Sequence, residues 1–148
     1  MVKFKYRRAY MKTALAFAET SEATRKKVGC VLVNDHGIIA EGLNGSYSGC
    51  SSNTCEDEND VTLPWVVHSE CNALMKAAKG GKSTDGATAY VTLLPCVVCA
   101  SMLATAGVKE VYYLEDYRTT DCHKVFKEAG IELFKFEEDL SDFKRIYL

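Results

Sequence analysis

The segment "ATAYVTLLPCVVCASMLATAGVKEVYYLE", residues 87–115, limits the possible folds more than any other. Its first part, "ATAYVTLL", is rich in β-branched and aromatic residues and reads as a strand. Pro95 suits the first turn of a helix, where its missing N–H removes no bond. That helix runs to Gly107, and "VKEVYYLE" resumes as a strand. Two strands joined through a helix lie parallel in one sheet and need cover on both faces.

The remaining elements are expected to extend this unit. Phe4, Tyr10, Met11, Ala14, Leu15, Phe17 and Ala18 recur at helical spacing, so residues 3–20 read as an amphipathic helix. "VGCVLVND", the turn "HG" and "IIAEG" read as a hairpin. A polar stretch over 43–63 is long for a connection, and loops of that length are usually functional or mobile. A helix is expected over 67–79, ending at Gly80-Gly81, and another over 121–129 before the strand "IELFKF". "EEDLSDFKRIYL" is expected to close the chain as a short helix. The expected architecture is α/β with three layers, α-β-α. It has a five-stranded mixed sheet whose last two strands are parallel, and one domain spans 1–148.

Composition narrows the class. With 47% hydrophobic residues, 26% charged and a net charge of -2, the chain reads as a soluble globular protein. That balance makes no strong electrostatic case for a long nucleic-acid partner, and no apolar run is long enough for a membrane span. The N-terminus starts basic and turns apolar, but Lys12 and Glu19 interrupt it, so a targeting segment is not expected. Seven cysteines are an odd count, and a C-x-x-C pair with a distant histidine favours metal over disulfides. A reducing, cytoplasmic setting is the expectation.

The chemistry sits in "HSECNAL" and "PCVVC". His68, Cys96 and Cys99 offer one imidazole and two thiols, the donors zinc accepts. The two cysteines stand about one helical turn apart at a helix start, whose positive dipole end favours thiolate. Three protein ligands leave a fourth position for water, and Glu70, two residues from His68, is placed to carry protons beside it. The competing reading is a closed structural site completed by Cys30, Cys71, Cys122 or His123. H-x-E followed by P-C-x-x-C is the zinc nucleobase deaminase signature, which favours the open site.

On these residues the chain resembles the cytidine deaminase superfamily, and "KKVGCVLV", "EGLNGSYSGC" and "GVKEVYYLEDYR" resemble its deoxycytidylate deaminase branch. The resemblance implies a cytidine deaminase-like fold. It also implies hydrolytic deamination of dCMP to dUMP, which supplies thymidylate synthesis, with one catalytic Zn2+ and Glu70 as proton carrier. It implies that the Ser69 N–H meets the ring carbonyl, the Leu94 C=O the amino group and Asn44 a sugar hydroxyl. A left-handed turn is the other reading of Asn44. Ser69 stands where the family usually has alanine, and little effect is expected because its N–H is unchanged. Arg118 and Arg25 are candidates for the phosphate, and Tyr117 for stacking on the base. Some relatives carry a second, structural zinc near the long loop, but His36, Cys50 and Cys55 do not clearly match its ligands. Mg2+ can accompany triphosphates. Relatives of this kind are hexamers activated by dCTP and inhibited by dTTP, which would give Gly42, Asn44 and Gly45 a part in effector binding. Other readings are a dCTP deaminase, a polynucleotide cytidine or adenosine deaminase, and a non-catalytic zinc module.

Overall fold

The computed structural model describes residues 2–147. In chain order the elements are α1 (Phe4–Ala18), β1 (Gly29–Asn34), β2 (Gly37–Leu43), α2 (Ser69–Lys79), β3 (Thr88–Leu93), α3 (Val97–Thr105), β4 (Glu110–Glu115), α4 (Cys122–Ala129), β5 (Glu132–Phe136) and β6 (Phe143–Arg145). The strands form one mixed sheet in the order β2-β1-β3-β4-β5-β6. β1 runs antiparallel to β2 and to β3, while β3, β4 and β5 are parallel.

The end of the chain differs from expectation. The sheet has six strands rather than five, because residues 143–145 pair antiparallel with β5 instead of forming a helix. The expected parallel pair is present as β4 and β5, but the last pair is antiparallel. Two causes are visible. Leu140 adopts φ +59 in a turn closed by a bond from the Glu137 N–H to the Asp142 carbonyl at 2.8 Å. Phe143 then packs against Phe4, Phe134, Phe136 and Tyr112, a demand that outweighs the local helical pattern. Pro95 lies just outside its helix, and Cys96 takes the N-cap.

Helices cover both faces of the sheet. On one face α1 buries Met11 and Ala14 against Val31, Val33, Tyr90 and Tyr112. The half-polar seam is closed by Arg7, which donates to the Tyr90 hydroxyl at 3.0 Å and lies 4.7 Å over the Tyr112 ring. On the other face α2, α3 and α4 bury Ala73, Leu74, Ala77, Ala100, Leu103 and Phe126 against Cys30, Leu32, Val91, Val111 and Leu133. Neighbouring residues of β1 divide between the two cores, as the two-residue period of a strand requires. A Cβ at Gly42 would stand 2.3 Å from the Ser69 carbonyl oxygen, so the bare backbone there lets α2 settle onto β2.

The stretch 44–67 is a loop, but it is tied. Gly45 pairs with Val67, and Glu56 with Thr62, as isolated bridges. Among the described residues no helix is long and apolar enough to cross a membrane. All seven cysteines are free.

Candidate active site

Two helix starts meet at the carboxyl ends of β3 and β4. His68 is the N-cap of α2 and Cys96 the N-cap of α3, both with extended backbone. Capping residues project side chains past the first turn, and here the two project toward each other. The His68 Nδ1 lies 3.3 Å from the Cys99 sulfur and 3.6 Å from the Cys96 sulfur. Nitrogen and sulfur on neighbouring corners of a zinc tetrahedron are roughly 3.5 Å apart, given bonds of about 2.0–2.1 and 2.3 Å. The donor atoms of all three residues lie within 4.8 Å of one another, and among the described residues no fourth histidine, cysteine or carboxylate joins them.

The electrostatics of the trio fit a cation. Cys96 accepts from the Cys99 thiol, from His68 and from the Cys99 N–H, which holds it down to about 3. Cys99 faces the Cys96 charge, is buried and stands near Glu70, so its thiol is pushed far above the ordinary range. A dication at the point the two sulfurs face would let both ionise. The bond with Cys96 raises His68 above its usual value.

Glu70 lies beside this centre on the first turn of α2, only 4% exposed. Burial raises its carboxyl above the usual range, against an opposing hydrogen bond from Ser69. Ser69 is 1% exposed, and its hydroxyl donates to Glu70 Oε1. Sequence reasoning gives that hydroxyl no part, because the resemblance engages only the backbone N–H of this position.

A cavity of about 370 Å³ opens above the trio. It brings together Arg25, Asn44, His68, Ser69, Glu70, Leu94, Cys96, Tyr117 and Arg118. Cys99 sits behind Cys96, 2% exposed. Gly42 and Gly45 do not line the cavity: Gly42 lies under α2, and Gly45 pairs with Val67. The Asn44 side chain accepts from the Val28 N–H at 2.8 Å and donates to the Lys26 carbonyl at 2.7 Å. One amide hydrogen and one lone pair remain to it. The Arg118 guanidinium lies 4.9 Å from the Tyr117 ring centre, and Lys26 pairs with Glu115. Cys50, Cys55 and His36 join no ligand cluster among the described residues.

Glu56 and Thr62 also line this cavity and escape sequence reasoning. Both sit in the long loop, and Glu56 is buried to 8% exposure. The acidic run "EDEND" hides Glu56 among solvated carboxylates, and no local pattern separates it from its neighbours.

Residues 5–115 match the family model for the cytidine and deoxycytidylate deaminase zinc-binding region. The chain belongs to this deaminase family. The deoxycytidylate deaminase of Enterobacteria phage T4 is 43% identical over 167 aligned positions, covering 84% of this chain and 86% of that protein. ComE operon protein 2 of Bacillus subtilis is 35% identical, covering 94% of this chain and 75% of that protein. Among solved structures, the dCMP deaminase of cyanophage S-TIM5 in complex with dCMP and dUMP superimposes with a TM-score of 0.89 at 44% identity. It covers 92% of this chain and all of that one. The deaminase is thus a zinc enzyme, and His68, Cys96 and Cys99 are the ligand set its geometry offers.

Proposed function

We propose that this deaminase converts dCMP to dUMP with release of ammonia, and that Glu70 carries the protons. One observation supports this above the rest: a buried carboxylate stands beside three side chains that can ligate a metal, at the floor of a cavity whose wall includes Arg25 and Arg118. The cyanophage relative crystallised with dCMP and dUMP supports the choice of substrate.

His68, Cys96 and Cys99 would hold the zinc, which would make a bound water acidic enough to lose a proton near neutral pH. Glu70 accepts that proton and delivers it to N3 of cytosine. The water oxygen adds to C4, which becomes tetrahedral. Glu70 then moves the second proton to the amino nitrogen, the C4–N bond breaks, and ammonia leaves. The ring that remains is uracil, and water plus cytosine balances ammonia plus uracil. A carboxyl raised by burial suits a group that must both take and return a proton.

Binding falls to the cavity wall. The Ser69 N–H is assigned to the ring carbonyl, the Leu94 C=O to the amino group, and the free donor of Asn44 to a sugar hydroxyl. Tyr117 stacks on the base. Arg25 and Arg118 take the phosphate, since Lys26 is already paired with Glu115. Assembly as a hexamer, with dCTP as activator and dTTP as inhibitor, rests on the resemblance alone. Sedimentation of the purified chain, and rate curves with each triphosphate added, test it.

The deciding experiment measures ammonia release from dCMP, dCTP, deoxycytidine and cytidine. Turnover of dCMP well above the others is the expected result. Preference for dCTP, or no turnover by the zinc-loaded protein, overturns the reading.

A further inference from the structure

The cationic side of the cavity is carried by an irregular segment, residues 24–28, which runs from the end of the α1 region into β1. Irregular backbone has no ladder to hold it, so a side chain must satisfy its N–H groups. Glu56 does this from the long loop. Its Oε1 accepts from the Thr24 N–H at 3.0 Å and from the Thr24 hydroxyl at 3.0 Å. Its Oε2 accepts from the Arg25 N–H at 3.4 Å. Asn44 grips the far side of the segment through the Lys26 carbonyl and the Val28 N–H. Arg25 therefore stands on backbone clamped at both ends, and its guanidinium reaches Thr62, across the same loop, at 3.5 Å.

We infer that Glu56 is a positioning residue for the substrate's phosphate: it fixes the backbone of Thr24 and Arg25 so that the Arg25 guanidinium faces the cavity. The inference rests on the reading above that Arg25 binds phosphate. Glu56 lines the cavity, yet its oxygens are turned to the 24–25 backbone. A solvated loop carboxylate would be exposed and unbonded, and Glu56 is neither. The Thr24 hydroxyl also lies 2.9 Å from Asp60 Oδ1, so its single proton is shared between Glu56 and Asp60, both on the long loop.

The test compares dCMP kinetics of Arg25→Ala, Glu56→Ala, Glu56→Gln and the double variant Arg25→Ala/Glu56→Ala, each with its zinc content. Removing one charge-assisted hydrogen bond to the substrate raises KM by about tenfold, so Arg25→Ala and Glu56→Ala should each do so, with kcat and zinc little changed. The double variant should be no worse than Arg25→Ala, because Glu56 acts through that arginine. Glu56→Gln keeps an acceptor oxygen for Thr24 but turns its NH2 to the Arg25 N–H, so it should recover only part of the affinity. If the two effects multiply, Glu56 holds the fold in general and the positioning role is wrong. A Glu56→Ala enzyme with unchanged KM overturns it directly. If Arg25→Ala itself leaves KM unchanged, it is the phosphate assignment of Arg25 that fails, and that outcome is distinct from the others.

Discussion

The floor of the cavity and its mouth are built by different means. At the floor, His68, Glu70, Cys96 and Cys99 all stand on the first turns of two regular helices, each anchored over the sheet by apolar packing. At the mouth, Arg25, Asn44 and Arg118 stand on irregular backbone or at its edge. Side-chain bonds to distant backbone, an ion pair between Lys26 and Glu115, and the stacking of Arg118 on Tyr117 hold that side in place. On the proposed roles, chemistry is placed by secondary structure, and recognition by bonds between remote segments. The first arrangement tolerates little displacement of its groups, while the second lets individual bonds be exchanged without disturbing the reacting centre.

The largest effects should come from breaking the floor. Cys99→Ala should lose stoichiometric zinc, measurable by metal analysis, and all turnover with it, because the ligands join α2 to α3 and metal binding is coupled to local folding. Full zinc retention in that variant would remove Cys99 from the ligand set. Glu70→Ala should keep zinc and fold, yet lose roughly 10²–10⁴-fold or more in kcat, since the proposed mechanism assigns it two proton transfers. Activity near the parent level, or loss of zinc, would give the proton role to another group.

Damage at the mouth should be milder and should leave zinc in place. Arg118→Ala is expected to raise KM for dCMP by about tenfold or more, with a smaller effect on deoxycytidine, because the variant has no guanidinium to offer the phosphate. Equal effects on nucleotide and nucleoside would make Arg118 a structural residue and weaken the contrast between the two regions. Ser69→Ala sits between them. It removes the hydroxyl bonded to Glu70 while keeping the backbone N–H, so kcat should fall by roughly threefold to tenfold with KM unchanged. No change in kcat would confine Ser69 to its main chain.

The smallest effect concerns acid stability. The Thr24 N–H, the Arg25 N–H and the Thr24 hydroxyl hold the Glu56 carboxyl below its ordinary value of 4.5. A depressed carboxyl contributes stability that is complete above its ordinary value and is lost as pH falls through the lowered one. Melting temperatures taken from about pH 5 downward should therefore fall more steeply for the parent than for Glu56→Gln. Parallel curves would show that the Thr24 clamp carries no charge-dependent stability.

The same division explains what the sequence reveals. The floor is legible because its function needs fixed spacing within short segments: H-x-E at one helix start and C-x-x-C at another. The strand–helix–strand run around them predicts β3, α3 and β4 in order, although α3 starts at Val97 and not at Pro95. The mouth is legible only as residue types. Arg25 and Arg118 are recognisable as cations, but the bond from Glu56 to Thr24 spans 32 residues and leaves no periodic trace. β6 is hidden for a related reason. Three residues are too short for a period to declare itself, and the aromatic cluster that draws Phe143 to the sheet is assembled from separate elements. The reason for Gly42 is likewise a packing fact, visible only once α2 is seen above it.

Gly42 acts as a depth stop for α2. His68 and Glu70 stand at the same helix start, so any side chain that lifted the helix would move the proposed metal ligand and the proposed proton carrier by the same vector. Metal affinity and turnover then share a single mechanical coordinate, and no shift of the helix can adjust one while sparing the other. Variation that alters rate alone must work on atoms beyond the helix axis. In this chain the Ser69 hydroxyl is such an atom: it touches the Glu70 carboxylate while the helix stays seated.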